Sequence, residues 1–218
     1  KELIEKKAHM HILKAMRYWG VMEEGVWNAC IALANLASGN GADADDIRAE
    51  LIEAGAHESI LHVMDGYIGN ARGSAEVQKE ACYALANLVY GYKAEDAALK
   101  KVDMIDMRII HAMTNFCKDA KVQMHACRAL LYIIRANLIH TNNIHTSLML
   151  IIVAMRLHEN DPNVLSNACC VLANLALNYD GAFGGAIMQA GSHMRIISAL
   201  DSFKGTSWQP GGVNDETR

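Results

Sequence analysis

Cysteine is the residue type in this sequence whose spacing most suggests thiol or metal chemistry. Four of the six cysteines follow an alanine, at Cys30, Cys82, Cys127 and Cys169, and each lies five residues before a repeated anchor position that is usually asparagine. Neighbouring helices pack about 8–10 Å apart, whereas a disulfide needs Cα atoms within about 7 Å. The series therefore predicts small buried apolar side chains and argues against a disulfide, redox or metal ladder. Cys170 lies one residue further on and is expected at the surface.

Histidine is also abundant, with ten residues. His62 and His111 occupy the same position in successive repeats, but two ligands do not complete a zinc site. His9 and His11 are two residues apart and do not share one face of a helix. The sequence contains no phosphate loop, nucleophile elbow or Cys-x-x-Cys pair. We therefore expect no catalytic residue, no metal and no cofactor.

Two apolar series alternate along the chain with helical spacing. The first series ends in runs that usually read Leu-Ala-Asn-Leu, with anchors at Asn35, Asn87, Tyr132 and Asn174. In each copy of the second series, an Ile begins an apolar pair and a Met or Leu lies four residues after that Ile. The copies are at residues 9–16, 57–64, 106–113, 148–155 and 193–200. Shorter segments at 45–53, 95–101 and 182–189 precede several copies of the second series. The pattern predicts a repeat of three helices in about 42–52 residues.

The composition favours helices and limits the classes of partner. Hydrophobic residues make up 52% of the 218 residues, but only 6% are aromatic and two are proline, which suits helices better than a sheet sandwich. The net charge of -4 argues against a nucleic-acid binder. No apolar run reaches the ~18 residues of a membrane span. Because the chain begins at Lys1, we expect it to be part of a longer protein whose N-terminus could carry a lipid anchor.

The repeat unit resembles the armadillo repeat. Residues 54–61 match that family's second helix, of the type Gly-Ala-x-x-x-Leu-x-x-Leu-Leu, and residues 77–88 match its third helix, of the type Gln-x-x-Ala-x-x-Ala-Leu-x-Asn-Leu-Ala. The resemblance covers about residues 8–201 and implies an all-α, right-handed superhelix (a solenoid) of about four to five three-helix repeats. We expect a single array over 1–201 and a tail over 202–218. The repeats are expected at 1–20 (partial), 21–66, 67–115, 116–157 and 158–201.

The resemblance places the third helix of each repeat on the concave face of the superhelix. At 100° per residue, Ile31 and Asn28 lie within about 40° of Asn35, while Leu33, Cys30 and Val26 point the opposite way. The asparagine side is therefore expected to be a surface and the cysteine side the core. The predicted groove residues are Trp27, Asn28, Ile31, Asn35, Glu80, Tyr83, Asn87, His125, Arg128, Tyr132, Arg135, Asn167, Cys170 and Asn174. Trp27 could instead pack beneath the partial first repeat.

A surface asparagine can bond both the N–H and the C=O of an extended peptide, and similarity to importin-α and β-catenin implies that use. The alternative is an amide bonded to its own neighbours. Importin-α has a tryptophan four residues before each asparagine, but here those positions hold Ile31, Tyr83, Arg128 and Cys170. A receptor for basic cargo is therefore disfavoured. We expect a non-enzymatic, cytoplasmic scaffold or adaptor that binds a protein or an extended peptide.

Two other functions stay open on the sequence. A DNA-acting enzyme on a helical-repeat scaffold would need a basic groove and a catalytic carboxylate, and the predicted groove offers only Glu80. The chain is also similar in size to the armadillo-repeats-only proteins of apicomplexan parasites. That resemblance implies an adaptor on the cytosolic face of an organelle, docked by an acylated N-terminus, that recruits a motor or a signalling enzyme.

Overall fold

The computed structural model describes residues 2–18, 22–67, 74–92 and 105–178, and this part of the chain forms ten α-helices and no strand. The helices are α1 (Glu2–Glu5), α2 (Ala8–Tyr18), α3 (Glu23–Leu36), α4 (Ala42–Glu53), α5 (Ala56–Gly66), α6 (Ala75–Val89), α7 (Ile105–Asn115), α8 (Ala120–Arg135), α9 (Thr141–Leu157) and α10 (Pro162–Asn178). The expected all-α class is confirmed. The predicted segments 95–101, 182–189 and 193–200 and the tail 202–218 lie outside the described residues.

The longer helices form two layers. The A layer comprises α3, α6, α8 and α10, each packed against the next, and these helices carry the first apolar series. The B layer comprises α2, α5, α7 and α9, which also pack in succession and carry the second series. Each B helix packs against the A helix that follows it. Stacking of these pairs gives a helical-repeat solenoid, in which each unit buries its apolar face against its neighbours.

The leucines three residues after each repeated cysteine and three of the four repeated cysteines are buried in the core, whereas Cys169 on α10 is half-buried, contrary to expectation. Cys30, Cys82 and Cys127 are free thiols with no exposed surface, as predicted for the core side of the A helices. Burial raises the pKa of the Cys30 and Cys127 thiols to about 12, with a smaller contribution from Glu80 at Cys30. A thiol that stays protonated at neutral pH is a poor nucleophile and a poor metal ligand. These cysteines therefore act as small apolar side chains.

Two glutamines at equivalent positions fasten A helices to B helices. The Gln78 side-chain amide donates to the carbonyl of Met64 at 2.9 Å, near the end of α5. The Gln123 amide donates to the carbonyls of Met113 and Phe116, both at 3.0 Å, at the end of α7. The last carbonyls of a helix have no partner within the helix. These buried amides therefore cap two B helices from the neighbouring layer.

A short helix, expected before several of the B helices, precedes α2 and α5 but is missing before α9. Helix α4 ends before Gly55, which has φ +80°, a left-handed conformation that suits glycine and separates α4 from α5. Between α8 and α9 the chain turns over residues 136–140, and α9 then runs unbroken for 17 residues. Its sequence contains no glycine or proline that would interrupt it. That repeat therefore has two helices, α8 and α9.

Candidate functional site

All the predicted groove residues lie on A-layer helices, and hydrogen bonds join them from helix to helix. Asn87 on α6 donates to the carbonyl of Ala34 on α3 at 3.0 Å, and Arg128 on α8 donates to Asn87 at 3.2 Å. Arg135 on α8 donates through Nε to Asn174 on α10 at 3.1 Å. The predicted residues on α6, α8 and α10 that are at least partly exposed therefore lie side by side on one surface. We call this the A surface, and it comprises Tyr83, His125, Arg128, Tyr132, Arg135, Asn167, Cys170 and Asn174.

The residues predicted on α3 lie at the margin of this surface. Asn28 and Asn35 are exposed, as expected. Trp27 and Ile31 are half-buried, and the indole of Trp27 packs against the hydrophobic core. The alternative expectation for Trp27, packing beneath the first repeat, is closer to what is observed than a free aromatic ring.

The expectation that the asparagines form an outward-facing ladder is wrong at Asn87. This residue is 4% exposed because α3 and α8 flank α6 on both sides and Arg128 reaches over it. Its amide caps Ala34, which lies in the last turn of α3, where helix carbonyls have no partner within the helix. Asn87 is therefore bonded to its own neighbours, which was the alternative interpretation, and its replacement would disturb the fold.

The asparagines on α10 are also bonded within the protein. Asn174 is half-buried, donates to the carbonyl of Cys170 at 2.8 Å and accepts from Arg135. Asn167 donates to the carbonyl of Asn163 at 2.8 Å. Cys170 is half-buried at this surface, unlike the core thiols of α3, α6 and α8. A ligand that used these amides would have to share them or replace their internal bonds.

Aromatic rings and one guanidinium form the centre of the A surface. The Arg128 guanidinium lies 5.8 Å from the centre of the Tyr83 ring and 5.9 Å from that of Tyr132. Tyr83 is 4.9 Å from the ring of His125, and Tyr132 meets Tyr90 edge-on at 5.1 Å. All five side chains are partly exposed. Cation–π and edge contacts of this kind hold rings in fixed orientations at a surface.

Sequence reasoning missed Tyr90 and Arg48, which extend this row of side chains. Tyr90 is three residues beyond the anchor Asn87 and seven beyond Tyr83, a helical spacing that could have identified it. The guanidinium of Arg48 lies 5.2 Å from the Tyr90 ring. Arg48 comes from α4, and no periodic signal links that short helix to α6.

The one carboxylate predicted in the groove is neutralised by its neighbour. Glu80 is almost fully buried and accepts an ion pair from Lys79 at 2.9 Å. Lys79 also pairs with Glu76, one turn earlier on α6. This carboxylate is therefore held in an internal ion pair and is poorly placed to act on a ligand as a catalytic base.

The imidazole of His125 is uncharged at neutral pH. Burial, with smaller contributions from the positive charges of Arg128, Lys79 and Lys121, lowers the pKa of His125 to about 4. Its Nδ1 has no hydrogen-bond partner among the described residues. His125 therefore contributes a neutral ring to the A surface, packed at a tilt of 51° against the ring of Tyr83.

We expect the free energy of unfolding to fall on acidification because of His125. In the unfolded chain this imidazole titrates near 6.5, so between pH 6.5 and 4 the unfolded state binds more protons than the folded state. Stability present above pH 6.5 is then lost as the pH drops towards 4, by roughly 2–3 kcal/mol. Urea denaturation of wild type and His125→Gln across this range measures the effect. A wild-type slope that persists unchanged in the variant would contradict this assignment.

The described part of the chain offers neither a metal site nor a membrane-spanning helix. His62 and His111 are both exposed on the B layer. Within residues 2–18, 22–67, 74–92 and 105–178, no group of three or more His, Cys, Asp or Glu side chains could hold a metal ion. In the same part of the chain, no helix has the length and apolar character needed to cross a membrane.

Comparison with known families gives one result that agrees with the two-layer fold. The family model described as LRRK2 ARM repeat matches residues 2–149, from α1 into α9, which is about two thirds of the chain. Comparisons with curated proteins and with solved structures gave no match. The matched region contains α3, α6 and α8, and so most of the A surface. The chain belongs to the LRRK2 ARM-repeat family of the armadillo superfamily.

Proposed function

We propose that this protein is an interaction scaffold that binds an extended peptide or protein segment across the A surface. Armadillo-repeat proteins are in general non-catalytic scaffolds for protein interactions. The observation that carries the proposal is the group of Tyr83, Arg128 and Tyr132, which pack on one another at the surface rather than in the core. Tyrosine and arginine are the residues most often found in binding hot spots.

The orientation of these rings supports the proposal. Tyr132 is held between the edge of Tyr90 and the guanidinium of Arg128. A side chain that is already fixed loses little conformational entropy when a partner binds. Asn35 and Arg135 are exposed at the two sides of this centre and add polar groups for a peptide backbone or side chain.

The proposal also covers the boundaries of the repeat array and the cellular location of the protein. We propose one array over residues 1–201 followed by a tail at 202–218, which limited proteolysis followed by mass spectrometry would test. We also propose a cytoplasmic location. All six cysteines are free thiols and are fully or partly buried, which suits a reducing compartment.

A peptide-display library provides the test. Peptides enriched on the wild-type protein are expected to bind the double variant Tyr132→Ala, Asn174→Ala at least tenfold more weakly, about 1.4 kcal/mol, as measured by fluorescence polarisation. The control is Met149→Ala, at an exposed residue of α9 in the B layer, with unfolding curves recorded for both variants. Unchanged affinity in the double variant, or equal loss in the control, would remove the support for this surface.

A further inference from the structure

Helix α8 carries a line of positive charge. Lys121, Arg128 and Arg135 are spaced by seven residues, so they lie on one face and drift by only about 20° per step. Successive charges are about 10.5 Å apart along the helix axis. The helix contains no Asp or Glu, although the whole chain has a net charge of -4. We call these three residues the basic stripe.

The neighbouring helices do little to neutralise the basic stripe. Helix α10 contains no charged residue over its whole length. On α6, Glu76 and Glu80 are paired with Lys79. Asp119 precedes α8, and its carboxylate accepts the backbone N–H groups of Lys121 and Val122 as the N-cap of the helix.

The partners of the basic stripe are neutral in the described part of the chain. Arg128 bonds the amide oxygen of Asn87 through Nη2, and Arg135 bonds that of Asn174 through Nε. Lys121 is exposed. By contrast, Arg108 in the B layer forms a two-point ion pair with Asp65, with N–O distances of 3.1 and 2.9 Å. A guanidinium has five N–H donors, so Arg128 and Arg135 keep donors for a carboxylate.

We propose that the basic stripe binds an acidic peptide segment in a polyproline II conformation, with Asp or Glu at every third residue. A polyproline II segment has three residues per turn and rises about 3.1 Å per residue, so every third side chain lies on the same face at intervals of about 9 Å. This interval is close to the spacing of charges on α8. Tyr83 and Tyr132 lie beside Arg128 and would contact the residues between the carboxylates. This inference rests on the proposed function and defines the chemistry of the partner.

Charge spacing favours a peptide over a nucleic acid. Phosphates follow one another at about 3.4 Å along a DNA strand, so most of them would meet no cation on the basic stripe. A basic peptide would meet Arg128 and Arg135 as like charges. An acidic peptide with spaced carboxylates is the ligand whose charges pair one to one with all three cations.

The test uses fluorescein-labelled peptides of equal length with Ser and Gly at the intervening positions. The first has Glu at every third residue; the others have Gln or Lys at those positions, or the same number of Glu in one cluster. The wild-type protein is expected to bind the spaced-Glu peptide at least tenfold more tightly than the other three, about 1.4 kcal/mol. Added salt should weaken this binding.

The critical variant reverses two exposed charges, Lys121→Glu with Arg135→Glu, and avoids Arg128 because that side chain also bonds Asn87. The matched control, Lys14→Glu with Arg17→Glu, makes the same change in net charge on exposed residues of α2. Loss of at least tenfold in the first variant, with the control unchanged, supports the proposal. Equal losses in both variants, or no loss in either, would overturn it.

Three further outcomes of the peptide assay are informative, and the first two separate this inference from the proposed function. If the Gln peptide binds as well as the spaced-Glu peptide and Tyr132→Ala weakens both, the acidic preference is wrong and groove binding stands. If none of the four designed peptides binds the wild-type protein, the acidic preference is wrong, while the proposed function is decided by the display library. A labelled oligothymidine that binds more tightly than the spaced-Glu peptide would overturn the inference in favour of a nucleic acid.

Discussion

Replacement of Asp106 by alanine is expected to lower the free energy of unfolding by about 3–5 kcal/mol. Asp106 is completely buried in the first turn of α7. Its carboxylate accepts the backbone N–H of His140 at 2.8 Å, the side-chain amide of Asn143 at 2.9 Å and the backbone N–H of Met107 at 3.0 Å. The His140 ring also lies 3.1 Å from it. Without the carboxylate, these partly buried donors would lose their partner, and the cavity left at the fully buried Asp106 site would add to the cost.

The magnitude follows from the place of Asp106 in the fold. The carboxylate bonds the residues that connect α8 to α9, where the repeat has no short helix. Urea denaturation followed by circular dichroism measures the loss. Asp119→Ala is the control, because it removes an N-cap carboxylate that should contribute only about 1 kcal/mol. Equal losses for the two variants would show that the contacts of Asp106 are worth no more than an ordinary cap.

Replacement of Arg48 by alanine is expected to cost about 3 kcal/mol. The guanidinium is 4% exposed and donates to the carbonyls of Ala37 and Gly39 at 2.8 and 3.1 Å and to the carboxylate of Asp45 at 2.6 Å. It also packs on the ring of Tyr90. Arg48 therefore joins the end of α3, the loop after it, α4 and the end of α6.

Arg48→Lys is expected to recover little of that stability, because a lysine ammonium lacks the planar array of N–H donors with which the guanidinium reaches several acceptors at once. The control is Arg108→Ala, which breaks a two-point but solvent-exposed ion pair with Asp65 and should cost at most about 1 kcal/mol. Thermal or urea unfolding of the three variants provides the comparison. A lysine variant as stable as wild type would show that a positive charge at this position is sufficient for stability without the planar guanidinium.

The fold was largely predictable because its signals are local and repeated. The spacing of Cys30 and Leu33 defines a helix face, and the same face recurs at Cys82 and Cys127. Each copy supports the interpretation of the others, so a copy whose pattern is ambiguous can be assigned from the clearer copies. The missing short helix before α9 was harder to predict, because it depends on the absence of a breaker such as Gly55.

The exposure of side chains on the A-layer helices was less predictable, because it depends on which side chains of the neighbouring helices cover them. Helical geometry places Asn35 and Asn87 at equivalent angles, yet one is exposed and the other is buried beneath Arg128. Equivalent positions differ when the flanking helices carry side chains of different length. Tyr90 and Lys121 were both within reach of simple spacing rules, at seven residues from Tyr83 and from Arg128 respectively.

The buried thiols allow local unfolding of the repeat array to be measured by alkylation. Cys30, Cys82 and Cys127 lie one to each of three successive A helices and are shielded from reagents while those helices are packed. Repeat arrays unfold in units whose stabilities are set by their neighbours. Alkylation at each thiol can therefore occur only when its own repeat separates, so the protein contains an internal reporter of local opening in each of these three repeats.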